Sequence, residues 1–135
     1  MDASTGGRVE LLVDSGAPSH FIDTELTPGL QGRLQDFKLL DKPMSIETAG
    51  KHIVYGVAEG IVDGTIIDSN GEQRHVHLRC VLVPGLGHNL FSVKVASRQG
   101  ITAIFDLTYP RLESATCTLP MDFRGEDLYT ISLGV

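Results

Sequence analysis

One acidic residue, Asp14, directly follows an aliphatic run, and the two small residues Ser15 and Gly16 come after it. A carboxylate at the mouth of an apolar strand is partly desolvated, which leaves it able to exchange protons near neutral pH. Gly16 lets a backbone or a substrate approach closely, and Ser15 places a hydroxyl beside the carboxylate. These residue types predict acid-base chemistry at Asp14.

Hydrolysis of a peptide bond by carboxylates alone requires two of them. In aspartic proteases they lie about 3 Å apart and share one proton, because both cannot ionise together. The strand-Asp-Ser-Gly pattern occurs once in this sequence, so a second copy of the chain would supply the partner across a two-fold axis. A simple turn at the end of a strand explains the same tripeptide and stays open as the alternative.

Short strands are the elements that must position this acid. Strand-like runs recur at short spacing, and Gly, Asn, Asp or Pro residues separate nearly all of them. This pattern predicts an all-β barrel or sandwich. One helix is predicted over residues 89–100, capped by Asn89 and ended by Gly100, while residues 30–40 fit a loop, a helical turn or a strand. The predicted strands are RVELLVD, MSIETA, KHIVYGVAEGIVDGTII, HVHLRCVLV, ITAIFD, RLESATCTL and LYTISL.

The composition of the whole chain limits the classes of function. Its 135 residues, 41% hydrophobic and 21% charged, predict one compact domain over residues 1–135. A net charge of −6 without any block of Lys or Arg argues against a nucleic-acid partner. No run approaches the roughly 18 apolar residues of a membrane span, so we expect no membrane partner and a cytoplasmic location.

Several other groups of residues have plain structural explanations. The segment from Ser15 to His20 lacks the G-x-S-x-G elbow of a serine hydrolase. His75 and His77 would face one side of a strand and Cys80 the other, so no metal site is expected. We predict a core that contains Phe21, Phe37, Phe91 and Phe105, and a solvated acidic face that contains Glu59, Asp63 and Asp68.

A second motif adds weight to the Asp-Ser-Gly tripeptide. LLVDSGAPSHF at residues 11–21, followed by VLVPGLGHNLFSVKVASRQG at residues 81–100, resembles the protease of copia-type retrotransposon polyproteins. This protease is a branch of the retropepsin-like aspartic proteases. Residues 105–133 also resemble the region that follows in those polyproteins, so the resemblance covers most of the chain, and their strand pattern predicts pairing with the core.

The resemblance implies a closed retropepsin-like β-barrel that is active as a symmetric homodimer. It also implies a flap hairpin from Met44 to Gly60 and a role for each matching residue. The implied catalytic residues are Asp14, Ser15 and Gly16; the substrate-binding residues are Ala17, Thr48, Ala49, Gly50 and Lys51; the supporting residues are Leu86, Gly87, Asn89 and Leu90.

The resemblance also implies a function. The chain would be an aspartic endopeptidase that cleaves a Gag-Pol polyprotein inside virus-like particles, without a metal or another cofactor. Retroviral relatives carry a paired aspartate and arginine where this chain has Pro18 and His88, so the bracing of its dimer differs. The alternatives are a domesticated protease acting on a host protein, and a catalytically silent β-domain used for dimerisation or peptide binding.

Overall fold

Most of the chain that the computed structural model describes, residues 7–135, is β-strand. Within this range, one α-helix (α1, Val93–Arg98) and a short 3-10 helix (Gln31–Arg33) interrupt the strands. The prediction of an all-β chain with one short helix is confirmed. The strands are β1 (Arg8–Asp14), β2 (His20–Ile22), β3 (Gln35–Glu47), β4 (Ile53–Ile67), β5 (Gln73–Leu82), β6 (Leu90–Ser92), β7 (Thr102–Ile104), β8 (Arg111–Glu113), β9 (Thr118–Pro120), β10 (Asp122–Gly125) and β11 (Leu128–Gly134).

The main sheet places the end of β1 in the middle of the fold. Its strand order is β10-β11-β1-β6-β2-β5-β4-β3. β1 runs parallel to β6 and β2 runs parallel to β5, whereas β11 pairs antiparallel with β1. One further pairing, between Gly134 and Thr65, joins β11 to β4. Strands β7, β8 and β9 form a separate three-stranded sheet.

Alternation of apolar and polar side chains explains why β1 and β11 pair over the core. Val9 and Leu11 of β1 are buried, whereas Arg8 and Glu10, which alternate with them, are exposed. β11 buries Tyr129, Ile131 and Leu133 in the same cluster, in register with β1. The prediction that the C-terminal residues pair with the core is therefore confirmed.

A hairpin of β3 and β4 extends from the sheet. Met44 pairs with Gly56 and Glu47 with Ile53, which confirms a hairpin over the predicted residues. The turn closes where the Lys51 N–H donates to the Thr48 carbonyl at 2.9 Å. The inner face covers a hairpin cluster, made of Ala17, Phe21, Val81 and Val83 with Leu40, Ile46, Val54, Leu86 and Leu90 packed against it.

The predicted helix is wrong at its N-terminal end. Leu90–Ser92 form β6, and α1 begins at Val93 with Ser92 as its cap rather than Asn89. Strand pairing is the physical reason, because β6 lies between β1 and β2 and takes these three residues into the sheet. Gly100 has φ of +82°, in agreement with its predicted role at the helix end.

One strand prediction and some burial predictions are also wrong, and two strands were not predicted. The run RLESATCTL is two strands, β8 and β9, and β2 and β10 were not predicted. Phe37 and Phe105 are 40% and 43% exposed, because β3 and the segment after β7 lie outside the core, whereas Phe21 and Phe91 are buried as predicted. Asp68 is buried rather than solvated, since its carboxylate accepts hydrogen bonds from Asn70 and Glu72 N–H groups and from Arg74.

Candidate active site

Asp14 is the last residue of β1 and lies beside Ser92 in the parallel pairing with β6. Its side chain is half-buried. The Gly16 N–H donates to Asp14 Oδ1 at 2.7 Å, and no other donor to this carboxylate is found within residues 7–135. The short turn thus orients the carboxylate through one oxygen and leaves the second oxygen for another ligand. Ser15 and Gly16 are exposed, whereas Ala17 is buried in the hairpin cluster.

Ser92 connects this turn to the helix that follows β6. Its hydroxyl donates to the Ala17 carbonyl at 2.6 Å and accepts from the Val95 N–H at 3.1 Å. Its own N–H donates to His20 Nδ1 at 2.9 Å. Ser92 was not predicted as a site residue, although a serine directly before a helical run is a sequence signal for a cap.

Asp23 is a buried carboxylate that holds the loop behind the candidate site. Its oxygens accept from the N–H groups of Gly87 at 2.7 Å, Glu25 at 2.8 Å and Gly85 at 3.2 Å. Burial raises the pKa of Asp23, and these backbone donors, together with that of Leu26, outweigh it and hold the pKa below its ordinary value. Asp23 was not predicted as a site residue, because two of its three donors, Gly85 and Gly87, lie more than sixty positions away in the sequence.

Asn89 positions β1 directly. Its side-chain oxygen accepts from the Asp23 N–H at 2.8 Å, and its amide donates to the Glu10 carbonyl at 3.1 Å. Its backbone carbonyl accepts from the Leu12 N–H at 2.8 Å. Leu86 and Leu90 pack against the hairpin cluster, which contains Ala17. Asn89 and Leu90 thus contact β1 directly, Leu90 through its pairing with Leu12. Gly87 contacts Asp23, which follows β2.

Asp14 lies at an open pocket of about 700 Å³, here called the Asp14 pocket. Its walls are mostly aliphatic and aromatic, and one further acid, Asp127, contributes to them. Such a surface accepts apolar side chains of an extended peptide while a carboxylate faces the main chain. The pocket is lined by Leu12, Val13, Asp14, Ser15, Leu90, Phe105, Leu107, Asp127, Leu128 and Tyr129.

The four residues at the hairpin tip lie apart from this pocket. Thr48 is half-buried, and Ala49, Gly50 and Lys51 are exposed. None of them is among the described residues that line the Asp14 pocket. Lys51 has φ of +63°, so the left-handed residue of the turn is Lys51 and not the adjacent glycine. A single chain thus brings Asp14, Ser15 and the supporting residues together, but it does not place the hairpin tip at the Asp14 pocket.

The histidines and the cysteine of β5 lie as the sequence predicts. His75 and His77 are exposed and Cys80 is buried, where burial raises the pKa of its thiol to about 12. Across residues 7–135, no group of three His, Cys, Asp or Glu side chains is arranged to hold a metal ion.

None of the helices in that range is long and apolar enough to cross a membrane.

Comparison of the chain with protein-family models, with curated proteins and with solved structures gives no match. Two features of the chain bear on its function. One is the carboxylate of Asp14 at the end of a central strand, and the other is the set of hydrogen bonds that Ser92, Asp23 and Asn89 make around it.

Proposed function

We propose that the chain is an aspartic endopeptidase of the retropepsin-like type, which acts as a symmetric homodimer and cleaves a copia-type Gag-Pol polyprotein. The observation that supports it best is the placement of Asp14, half-buried at the rim of an apolar-walled pocket and held by one N–H donor on one oxygen. A carboxylate fixed in this way is oriented without being neutralised by a cation.

In the proposed dimer, one Asp14 from each subunit meets at the two-fold axis. The ionised carboxylate takes a proton from a bound water while the water oxygen attacks the scissile carbonyl carbon. The protonated carboxylate hydrogen-bonds the carbonyl oxygen, and a proton then passes to the amine as the C–N bond breaks. The reaction needs neither a metal nor a covalent intermediate.

The substrate in this proposal lies extended between the two Asp14 residues and the hairpin tips. Main-chain hydrogen bonds hold it, and alternate side chains enter apolar pockets. The pairing of Gly134 with Thr65 supports the finer part of the fold proposal, a closed barrel, because it links β11 back to β4. A closed barrel would hold β1 rigid between its neighbours and so keep Asp14 in place.

The test compares the full chain with its Asp14→Asn variant for cleavage of a polyprotein precursor, with the subunit mass measured for both. Asn keeps an oxygen that can accept from Gly16, so the variant is expected to fold. We expect cleavage to fall about a thousandfold or more, and a pepstatin-type transition-state mimic to inhibit the unmodified chain. Asp63→Asn is the matched control, because Asp63 is exposed on β4 and lies outside the Asp14 pocket.

Each outcome decides between the candidate functions. Loss of cleavage in Asp14→Asn alone, with a dimer mass for every form, supports the endopeptidase. A dimer that is silent with or without the substitution indicates a dimerisation or peptide-binding domain. Cleavage of a peptide library without cleavage of the polyprotein indicates a domesticated enzyme with a host substrate.

A further inference from the structure

A second cavity of about 510 Å³ lies between the main sheet and the three-stranded sheet. We call it the His20 cavity, and it shares no lining residue with the Asp14 pocket. Buried or half-buried apolar side chains from β4, β5, β8 and β11 form most of its wall. Its volume falls in the range of pockets that bury small organic ligands. The apolar lining is Ile66, Val76, Leu78, Phe91, Ile101, Leu112, Leu119, Ile131 and Leu133.

His20 contributes an imidazole to the cavity wall, which also contains the polar side chains of Gln73, Arg74, His75, His77, Gln99, Ser114 and Thr116. The side chain is 2% exposed, and its Nδ1 accepts from the Ser92 N–H at 2.9 Å. Burial lowers the pKa of His20 to about 4, so the ring is neutral at physiological pH and carries its proton on Nε2. Within residues 7–135 that Nε2–H has no hydrogen-bond acceptor. A carbonyl oxygen bound in the cavity would give this donor a direct acceptor.

We propose that the His20 cavity is a binding site for a neutral, mainly aliphatic molecule with one carbonyl group, whose oxygen accepts from His20 Nε2–H. The apolar side chains of the wall bury the aliphatic part, and the Nε2–H of the buried His20 fixes the orientation of the carbonyl. This site is separate from the Asp14 pocket, because the two pockets have no lining residue in common.

The charges around the cavity favour a neutral ligand over an anion. Arg74 is the cation at its rim, and its guanidinium is already paired with Asp68 at 2.7 Å and with Glu72 at 3.3 Å. A carboxylate in the cavity would therefore be desolvated beside a neutral imidazole, which is costly. A ketone, ester or amide oxygen needs only the one donor that His20 provides.

In the test, decan-2-one is added stepwise to the full chain, whose histidines are labelled with ¹⁵N. The imidazole signals are followed by NMR. We expect saturable binding, a downfield shift of the His20 Nε2 proton, and weaker binding of decanoate at neutral pH. Val76→Phe fills the cavity, so the affinity for decan-2-one should fall about tenfold or more. Val57→Phe is the matched control, because Val57 is exposed on β4 and lies outside the cavity.

Asp14→Asn should bind decan-2-one as the unmodified chain does. The proposal for the His20 cavity and the proposal for the peptidase can therefore be disproved separately. The proposal is overturned by non-saturable partition, by equal binding to Val76→Phe, or by tighter binding of decanoate than of decan-2-one. His20→Phe, if it folds, should bind decan-2-one less tightly, and unchanged affinity would also overturn the role of the imidazole. If it does not fold, the Val76→Phe comparison decides.

Discussion

The Ser92 hydroxyl donates to the Ala17 carbonyl at 2.6 Å and so ties the end of the Asp-Ser-Gly turn to the start of α1. The same oxygen accepts from the Val95 N–H and caps that helix. Because Ser92 also lies beside Asp14 in the β1–β6 pairing, one residue links strand, turn and helix. The position of the candidate catalytic carboxylate therefore depends on a residue 78 positions away.

We expect Ser92→Ala to lower the free energy of unfolding by about 1 to 3 kcal/mol, because it removes a helix cap and a buried hydrogen bond together. Urea denaturation followed by circular dichroism measures this loss. Ser97→Ala is the control, since Ser97 is exposed in the same helix and donates only to the Lys94 carbonyl. Equal losses in both variants would contradict the linking role of Ser92.

Asp23→Asn should destabilise the chain at neutral pH by about 2 kcal/mol, because an amide cannot accept from all the backbone donors around it. The backbone donors hold the pKa of Asp23 below its ordinary value of 3.8. Its stabilisation is thus present above that ordinary value and is lost as the pH falls through the lower, folded-state pKa. The difference in the free energy of unfolding between the unmodified chain and Asp23→Asn should therefore become smaller in strong acid.

Unfolding curves of the Asp23→Asn variant at a series of pH values, compared with the exposed Asp41→Asn as control, test this expectation. Asp41→Asn should change the free energy of unfolding by less than about 0.5 kcal/mol at neutral pH. If the difference in the free energy of unfolding between the unmodified chain and Asp23→Asn stays constant from neutral to strongly acidic pH, the ionised Asp23 carboxylate does not contribute to stability.

His20 should give a second, separate pH dependence. Burial lowers its pKa from 6.5 to about 4, so the unfolded chain takes up the proton first as the pH falls. The contribution of the neutral ring is complete above 6.5 and is lost as the pH falls from there toward 4. His20→Phe should flatten the stability profile in this window, while the exposed His75→Gln should leave the slope unchanged. An unchanged slope in His20→Phe would contradict the assignment.

Thr130→Val should stabilise the protein by about 1 kcal/mol, since the buried Thr130 hydroxyl has no hydrogen-bond partner among the described residues. A methyl group in its place removes the cost of desolvating the hydroxyl. Thermal unfolding measures the gain, with the exposed Thr102→Val of β7 as the control. A loss of stability in Thr130→Val would mean that the hydroxyl makes a hydrogen bond in solution.

Asp127→Asn tests where the second carboxylate of the proposed peptidase comes from. Asp127 lines the same pocket as Asp14, and its φ of +62° is one that Asn also tolerates. If the catalytic pair consists of one Asp14 from each subunit, this variant should keep cleavage within about tenfold of the unmodified chain. A loss as large as that of Asp14→Asn would place both acids in one chain.

The local pattern of the sequence predicted most of the strands and singled out Asp14. β1 coincides with the predicted run RVELLVD, because its aliphatic residues and the alternation of its first four positions are local properties. The turn followed from Gly and polar residues between two strand-like runs, and the resemblance implied the hairpin. Asp14 could be singled out because an acid after three aliphatic residues is visible without any knowledge of the fold.

Only the tertiary structure decided what lies behind Asp14 and which side chains are buried. Ser92 pairs with Ala17 and His20, and Asp23 with Gly85 and Gly87, across more than sixty positions of sequence. Phe37 was expected in the core from its type alone, yet it lies on β3, the edge strand of the main sheet, and is 40% exposed. Hydrogen bonds and burial of this kind depend on which strands become neighbours, and β2 and β6 are too short for the sequence to predict that arrangement.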